Sequence, residues 1–285
     1  MPQTIARSIS RPAREQLRRL QTTHSDARVL AVFERACDLL TTGGGIVALV
    51  LPEIGDGPFN VVVDGAAGLF AGVEPGLPAT VKETQLHIGG LRVDLENAST
   101  WEPRPDWETL RNQRATIASR LPLLRALCLR HAATGNLLSL LEDAPPSTNI
   151  VLSTAQAAAD VLREGWTGDV ERLQTGAARL AGLGSGLTPS GDDFLTGVML
   201  WAWLVHPTPL SFCQTLAEAA IPRTTTLSAA FLRAAARGEC SAPWHALLAA
   251  LNTGQDSKIT VAVQEILAHG ATSGADSLAG FLYPF

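Results

Sequence analysis

Gly182-Leu183-Gly184-Ser185-Gly186-Leu187-Thr188-Pro189-Ser190-Gly191-Asp192-Asp193-Phe194-Leu195-Thr196-Gly197 joins alternate glycines, a proline, hydroxyls and two adjacent carboxylates in one short segment, and an apolar run over residues 198–205 follows at once. Glycine relaxes the backbone, and Ser or Thr ahead of an acidic residue starts a helix. The segment therefore reads as a glycine loop feeding a helix N-terminus, which points backbone N–H groups and a positive dipole end at whatever lies in front of it. Two helix starts fit. Thr188 could cap with Pro189 at the first helical position, or Ser190 could cap with Asp193 completing a capping box. No lysine follows the glycines, so this is not a Walker loop. The residues before it, 173–180, read as helix and not strand, so it is not a dinucleotide fingerprint.

The same frame, S-G-x-D-x-L-x-G, returns as Ser273-Gly274-Ala275-Asp276-Ser277-Leu278-Ala279-Gly280. In each copy the acid and the glycine four residues later share a helix face. A glycine there lets another backbone come close. Two such helices could cross with both N-termini aimed at one point, which predicts that Ser190, Asp193, Ser273 and Asp276 converge. A third cluster, Pro222-Arg223-Thr224-Thr225-Thr226-Leu227-Ser228, reads as a capping run in which Arg223 could supply a fixed positive charge. Loop N–H groups could hold a phosphate or carboxylate. The nearby carboxylates could hold Mg²⁺ bridging to that anion, or act as acid or base. The histidines are scattered, and only His269 stands beside a suspected site.

Composition bounds the rest. Of 285 residues, 46% are hydrophobic and only 17% charged, which supports a sizeable core and argues against disorder. So lightly charged a surface fits a complex subunit. A net charge of −5 gives no electrostatic reason to bind nucleic acid. Cys37, Cys128, Cys213 and Cys240 form no CxxC pair and are expected to be buried free thiols. No apolar run approaches the ~20 residues of a membrane span, so no membrane association and a cytoplasmic location are expected.

Along the chain, residues 1–20 are rich in arginine and read as a solvated basic arm. Residues 29–33 could be a strand or the start of a helix to Leu40. The runs 46–51 and 59–63 read as strands of a loose hairpin, and Gly89-Gly90 as a tight hairpin turn between two alternating runs. Trp101-Glu102-Pro103-Arg104-Pro105-Asp106-Trp107 marks a boundary, with Asp106 capping a helix from Trp107. Helices are expected near 107–120, 122–133, 135–143, 151–164, 169–181, 190–205, 208–220, 225–237, 242–252, 257–269 and 274–282, with Pro145-Pro146 as a linker. The fold class is α+β: a small β-rich barrel or sandwich over residues 1–105, then a larger all-α domain over 106–285 carrying both glycine–aspartate motifs.

The strings over residues 182–195 and 272–280 resemble a bacterial family that includes AllH, an oxamate carbamoyltransferase subunit. The resemblance extends to the β-rich N-terminal part, the Trp-x-Pro boundary and the Thr-Thr-x-Leu-Ser helix start. Ser185 departs from it, standing where proline is more usual. Membership implies a multi-subunit enzyme moving a carbamoyl group between oxalurate and phosphate in allantoin breakdown, with other subunits as partners and a small anionic substrate. The residues that carry over are Gly184, Gly186, Thr188, Ser190, Gly191, Asp192 and Asp193, then Thr272, Ser273, Gly274 and Asp276. Asp192, Asp193 and Asp276 are the candidate catalytic groups. The rest, with Arg223, are candidate substrate contacts.

Overall fold

The arginine-rich beginning is not a solvated arm. In the computed structural model, which describes residues 3–23, 26–142 and 149–283, it forms strand β1 (Gln3–Ser10) and helix α1 (Arg11–Thr23). Ala13, Leu17 and Leu20 recur at helical spacing and are buried, while Arg18 and Arg19 face outward and Arg14 is half-buried. Ser10 starts the helix: its Oγ accepts from Ala13 N–H at 3.2 Å and donates to the Pro58 carbonyl at 3.0 Å.

The chain divides into Met1–Pro103 and Arg104–Phe285. In the first unit β1 is followed by β2 (Ala27–Val32), β3 (Ala36–Thr41), β4 (Ile46–Val50), β5 (Asn60–Val63), β6 (Pro78–Lys82), β7 (Gln85–Ile88), β8 (Leu91–Asp94) and β9 (Ser99–Trp101). The order is β5-β4-β3-β2-β6-β7-β8-β1-β9, and β1 also pairs with β5. That pairing closes eight strands into a barrel, the first of the two architectures expected. Strand β9 runs on beyond β8 along the same side of β1. Closure removes the sheet edges, and the interior is filled by side chains such as Val29, Leu39, Leu49, Val61, Leu86, Ile88 and Val93.

Of two local readings, one takes its strand alternative and one changes. Residues 27–41 form the antiparallel pair β2–β3 and contain no helix. Strands β4 and β5 pair in parallel and not as a hairpin, because β5 must run antiparallel to β1 on its other side. The Gly89-Gly90 turn does join an antiparallel pair, with Ile88 opposite Leu91 and φ +52° at Gly89.

The second unit is helical: α2 (Trp107–Asn112), α3 (Arg114–Ala118), α4 (Leu121–His131), α5 (Ile150–Gly165), α6 (Val170–Leu180), α7 (Ser190–Val205), α8 (Pro209–Ala220), α9 (Thr226–Ala236), α10 (Ala242–Thr253), α11 (Asp256–Leu267) and α12 (Ser273–Leu282). Asp106 caps α2 by accepting from Thr109 N–H. The helix expected over 107–120 is broken at Gln113, which separates α2 from α3. The one expected over 135–143 is a 3₁₀ turn, Leu137–Leu141. Pro145-Pro146 lies outside the described residues. All four cysteines are buried and free. Among the described residues, no helix is long and apolar enough to cross a membrane.

Helices α7 and α12 form the centre of this unit, and every α12 residue from Gly274 to Phe281 is buried. A Cβ on Gly197 would stand 1.8 Å from the Ser277 carbonyl oxygen, and one on Gly280 would stand 1.9 Å from that of Phe194. Gly197 and Gly280 are equivalent in the repeated frame, as are Phe194 and Ser277, so the packing has an internal two-fold character. No rotamer relieves a clash between Cβ and a helical backbone. Gly280→Ala is therefore expected to lower stability by about 3 kcal/mol, the upper end of core overpacking, measured as a fall in the denaturation midpoint without loss of secondary structure beforehand.

Candidate functional site

Three alternate glycines precede α7 because the loop turns left-handed at each: φ is +71° at Gly182, +113° at Gly184 and +95° at Gly186. Side chains avoid that region. Two of the three also face close neighbours. A Cβ on Gly182 would meet the Arg223 carbonyl at 2.6 Å, and one on Gly184 the Ser190 nitrogen at 2.9 Å. Residues 184–187 at the loop tip are exposed.

Neither expected cap forms. Helix α7 begins at Ser190 with Pro189 as N-cap and no side-chain bond, and α12 begins at Ser273 in the same way after Thr272. Both serines are thus first helical residues, and their hydroxyls are directed away from their own helices. The Ser190 hydroxyl acts on Asp276, and the Ser273 hydroxyl acts on Asp193. Thr188 Oγ1 lies 2.9 Å from Ser273 Oγ. The convergence predicted for Ser190, Asp193, Ser273 and Asp276 is what the structure contains. Gly191 and Gly274 make it possible. A Cβ on either would lie within 2.0 Å of a carbonyl, Leu180 at the end of α6 and Ile266 near the end of α11, respectively.

The three carboxylates differ. Asp192, 1% exposed, is fully used: Oδ1 accepts from Gly182 N–H at 3.2 Å, and Oδ2 accepts from the Thr224 hydroxyl. It fastens the loop to the approach of α9. Asp276, 0% exposed, accepts Leu137 N–H on Oδ1 at 2.6 Å, while its Oδ2 is buried without a hydrogen-bond partner. Asp193 is only half-buried as a residue, yet its Oδ2 is likewise sealed and unpartnered. Burial raises the pKa of all three. Asp193 is held well above the usual carboxylate range, since the charges of Asp276 and Asp192 add to burial and outweigh the hydroxyls of Ser273 and Thr188.

Arg223 does not bring its charge to this cluster. Its guanidinium donates to the Ala219 carbonyl at 3.0 Å, and only its backbone approaches the loop. His269 is exposed past the end of α11, where its carbonyl accepts Gly274 N–H. The sequence marks the threonine run for capping, which Thr225 does at α9, but does not reveal Thr224 as the partner of Asp192. Nor does it reveal Leu137. That contact spans 139 positions and is made by a backbone N–H, which leaves no mark in residue type.

A closed β-barrel and a helical unit built on a doubled glycine–aspartate helix start define an architecture for which no solved structure matches. Family comparison does match it. The model described as oxamate carbamoyltransferase subunit AllH covers residues 180–285, and that of the AllH family N-terminal domain covers 5–100. The chain therefore belongs to the AllH family. The boundaries of the first match take in both copies of the motif.

Two measurements follow. Thr224→Val leaves the buried Asp192 short of one partner and should lower stability by about 1–3 kcal/mol, with faster amide exchange at Gly182. Asp193 has a folded pKa above its unfolded value, so its ionisation destabilises the fold once the pH exceeds that raised value, and this cost vanishes below the unfolded pKa of about 3.9. Asp193→Asn should accordingly be more stable than the parent at neutral pH and equal to it in acid, read from urea titrations across pH.

Proposed function

We propose that this chain acts as a subunit of an oxamate carbamoyltransferase assembly, and that the paired starts of α7 and α12 receive its small anionic substrate. One observation carries the reading. Two copies of one motif, far apart in sequence, place their serines and aspartates reciprocally at a single point beside an exposed glycine loop. The family description supplies the reaction.

In that reaction a phosphate oxygen attacks the carbamoyl carbon of oxalurate. A C–O bond forms, the C–N bond to oxamate breaks, and the nitrogen takes the proton that phosphate gives up. Negative charge builds on the carbonyl oxygen during attack and needs donors already in place. The hydroxyls of Thr188, Ser190 and Ser273, the N–H groups of the loop tip and two helix dipoles are of the right kind. Asp193 and Asp276 are the carboxylates left for the reacting groups, since both Asp192 oxygens are taken up inside the protein.

A second reading makes this a non-catalytic ligand-binding or assembly subunit. It is favoured by the internal use of Asp192 and by Leu187, 44% exposed on the loop tip, as a contact for another subunit. Asp193→Asn in the assembled enzyme separates the two. Turnover should drop by roughly 10²-fold or more while the complex keeps its mass in light scattering. Loss of the complex itself would favour the assembly role, and unchanged turnover would remove Asp193 from the chemistry.

A further inference from the structure

We infer that Asp193 Oδ2 and Asp276 Oδ2 are ligands of a single divalent, oxygen-preferring cation of the Mg²⁺ class, seated between the first turns of α7 and α12. The inference builds on the substrate site proposed above and names what that site lacks. Among the described residues, the side-chain atoms buried without a partner are these two oxygens and Arg14 Nε. The two oxygens occupy equivalent positions of the repeated motif. Buried polar atoms are almost always paired, and a buried carboxylate oxygen without a partner is costly. An orphaned pair at one point calls for one shared partner.

That partner is not a cationic side chain among the described residues. None of the ion pairs among the described residues involves Asp192, Asp193 or Asp276. A proton shared between the two carboxyls would also satisfy both oxygens, and the metal titration below separates it from a cation. The surrounding groups select the kind of ion. Asp276 Oδ1 is already committed to Leu137 N–H, which leaves Oδ2 to bind alone. The hydroxyls acting on the two carboxylates are those of Thr188, Ser190, Thr272 and Ser273, so the donors are hard oxygens. No three His, Cys, Asp or Glu side chains gather around one point among the described residues. This argues against a closed protein cage for Zn²⁺ or Ca²⁺. Two carboxylates with hydroxyls and water suit Mg²⁺, which commonly completes its shell with a substrate phosphate. The cation would also turn a cluster of carboxylates that repels anions into one that holds them.

The test uses the full chain and Mn²⁺ as the probe, with free Mn²⁺ followed by its electron paramagnetic resonance signal. One Mn²⁺ should bind per chain and be displaced by Mg²⁺. Asp193→Asn and Asp276→Asn should each weaken binding by about tenfold or more with circular dichroism unchanged, whereas Glu218→Gln at an exposed position of α8 should bind as the parent does. Should Asp276→Asn fail to fold, the half-buried Asp193 position carries the test. Mn²⁺ remaining free, or binding equally to parent and Asp193→Asn, overturns the inference. A phosphate titration with Mg²⁺ or with chelator then separates the two proposals. Phosphate binding only with Mg²⁺ supports both. Equal binding with chelator, together with Mn²⁺ that stays free, retains the substrate site and overturns the cation. Mn²⁺ binding without any phosphate or oxamate binding supports the cation and removes the substrate reading.

Discussion

Everything in the helical unit depends on the close approach of α7 and α12. Each helix presents a glycine to a backbone carbonyl of the other, so the two axes lie nearer than any side chain would allow. That proximity, with the N-termini side by side, brings Ser190 to Asp276 and Ser273 to Asp193. It also aligns two helix dipoles, an arrangement that needs negative charge near the shared N-terminal end. The aspartates lie at that end, and their burial is the consequence of the same packing.

The cluster is unequal in a way the motif does not show. Adjacent residues Asp192 and Asp193 look interchangeable in the string, yet a helix turns about 100° between neighbours. One carboxylate therefore points back to the loop and α9, the other toward α12. The first is satisfied on both oxygens and acts as a fastener. The second has an oxygen left over. A site with leftover bonding capacity is where natural proteins give up local stability for function.

How much of this could be read from the residues alone depends on the range of the interaction. Helix spans were legible because apolar periodicity and breakers are local: α7 falls on the expected residues 190–205, and α5, α8 and α10 differ only at their ends. The glycine–carbonyl contacts were legible too, since the repeated frame spelled out both halves. What failed was direction. Sequence shows that 46–51 and 59–63 are strands, but not that β1 lies beside β5 and forces β4 and β5 to run parallel. Capping failed for a related reason. A serine at a helix start is expected to serve its own helix, and here Ser190 and Ser273 serve each other's. Arg223 was placed by proximity in sequence to the threonines, while its side chain follows the C-terminal carbonyls of α8.

The closure of the barrel through β1 has a bearing on how the molecule forms. Strand β1 borders β5 on one side and β8 with β9 on the other, so its partners are made long after it. The bond between Leu137 and Asp276 spans 139 positions. Pairings of such separation raise contact order and slow folding, because chain entropy is lost before the contacts form. During synthesis β1 waits unpaired, and the apolar faces of α7 wait for α12. A subunit whose central helix is covered so late has a long interval in which a chaperone or a neighbouring subunit can reach that surface first.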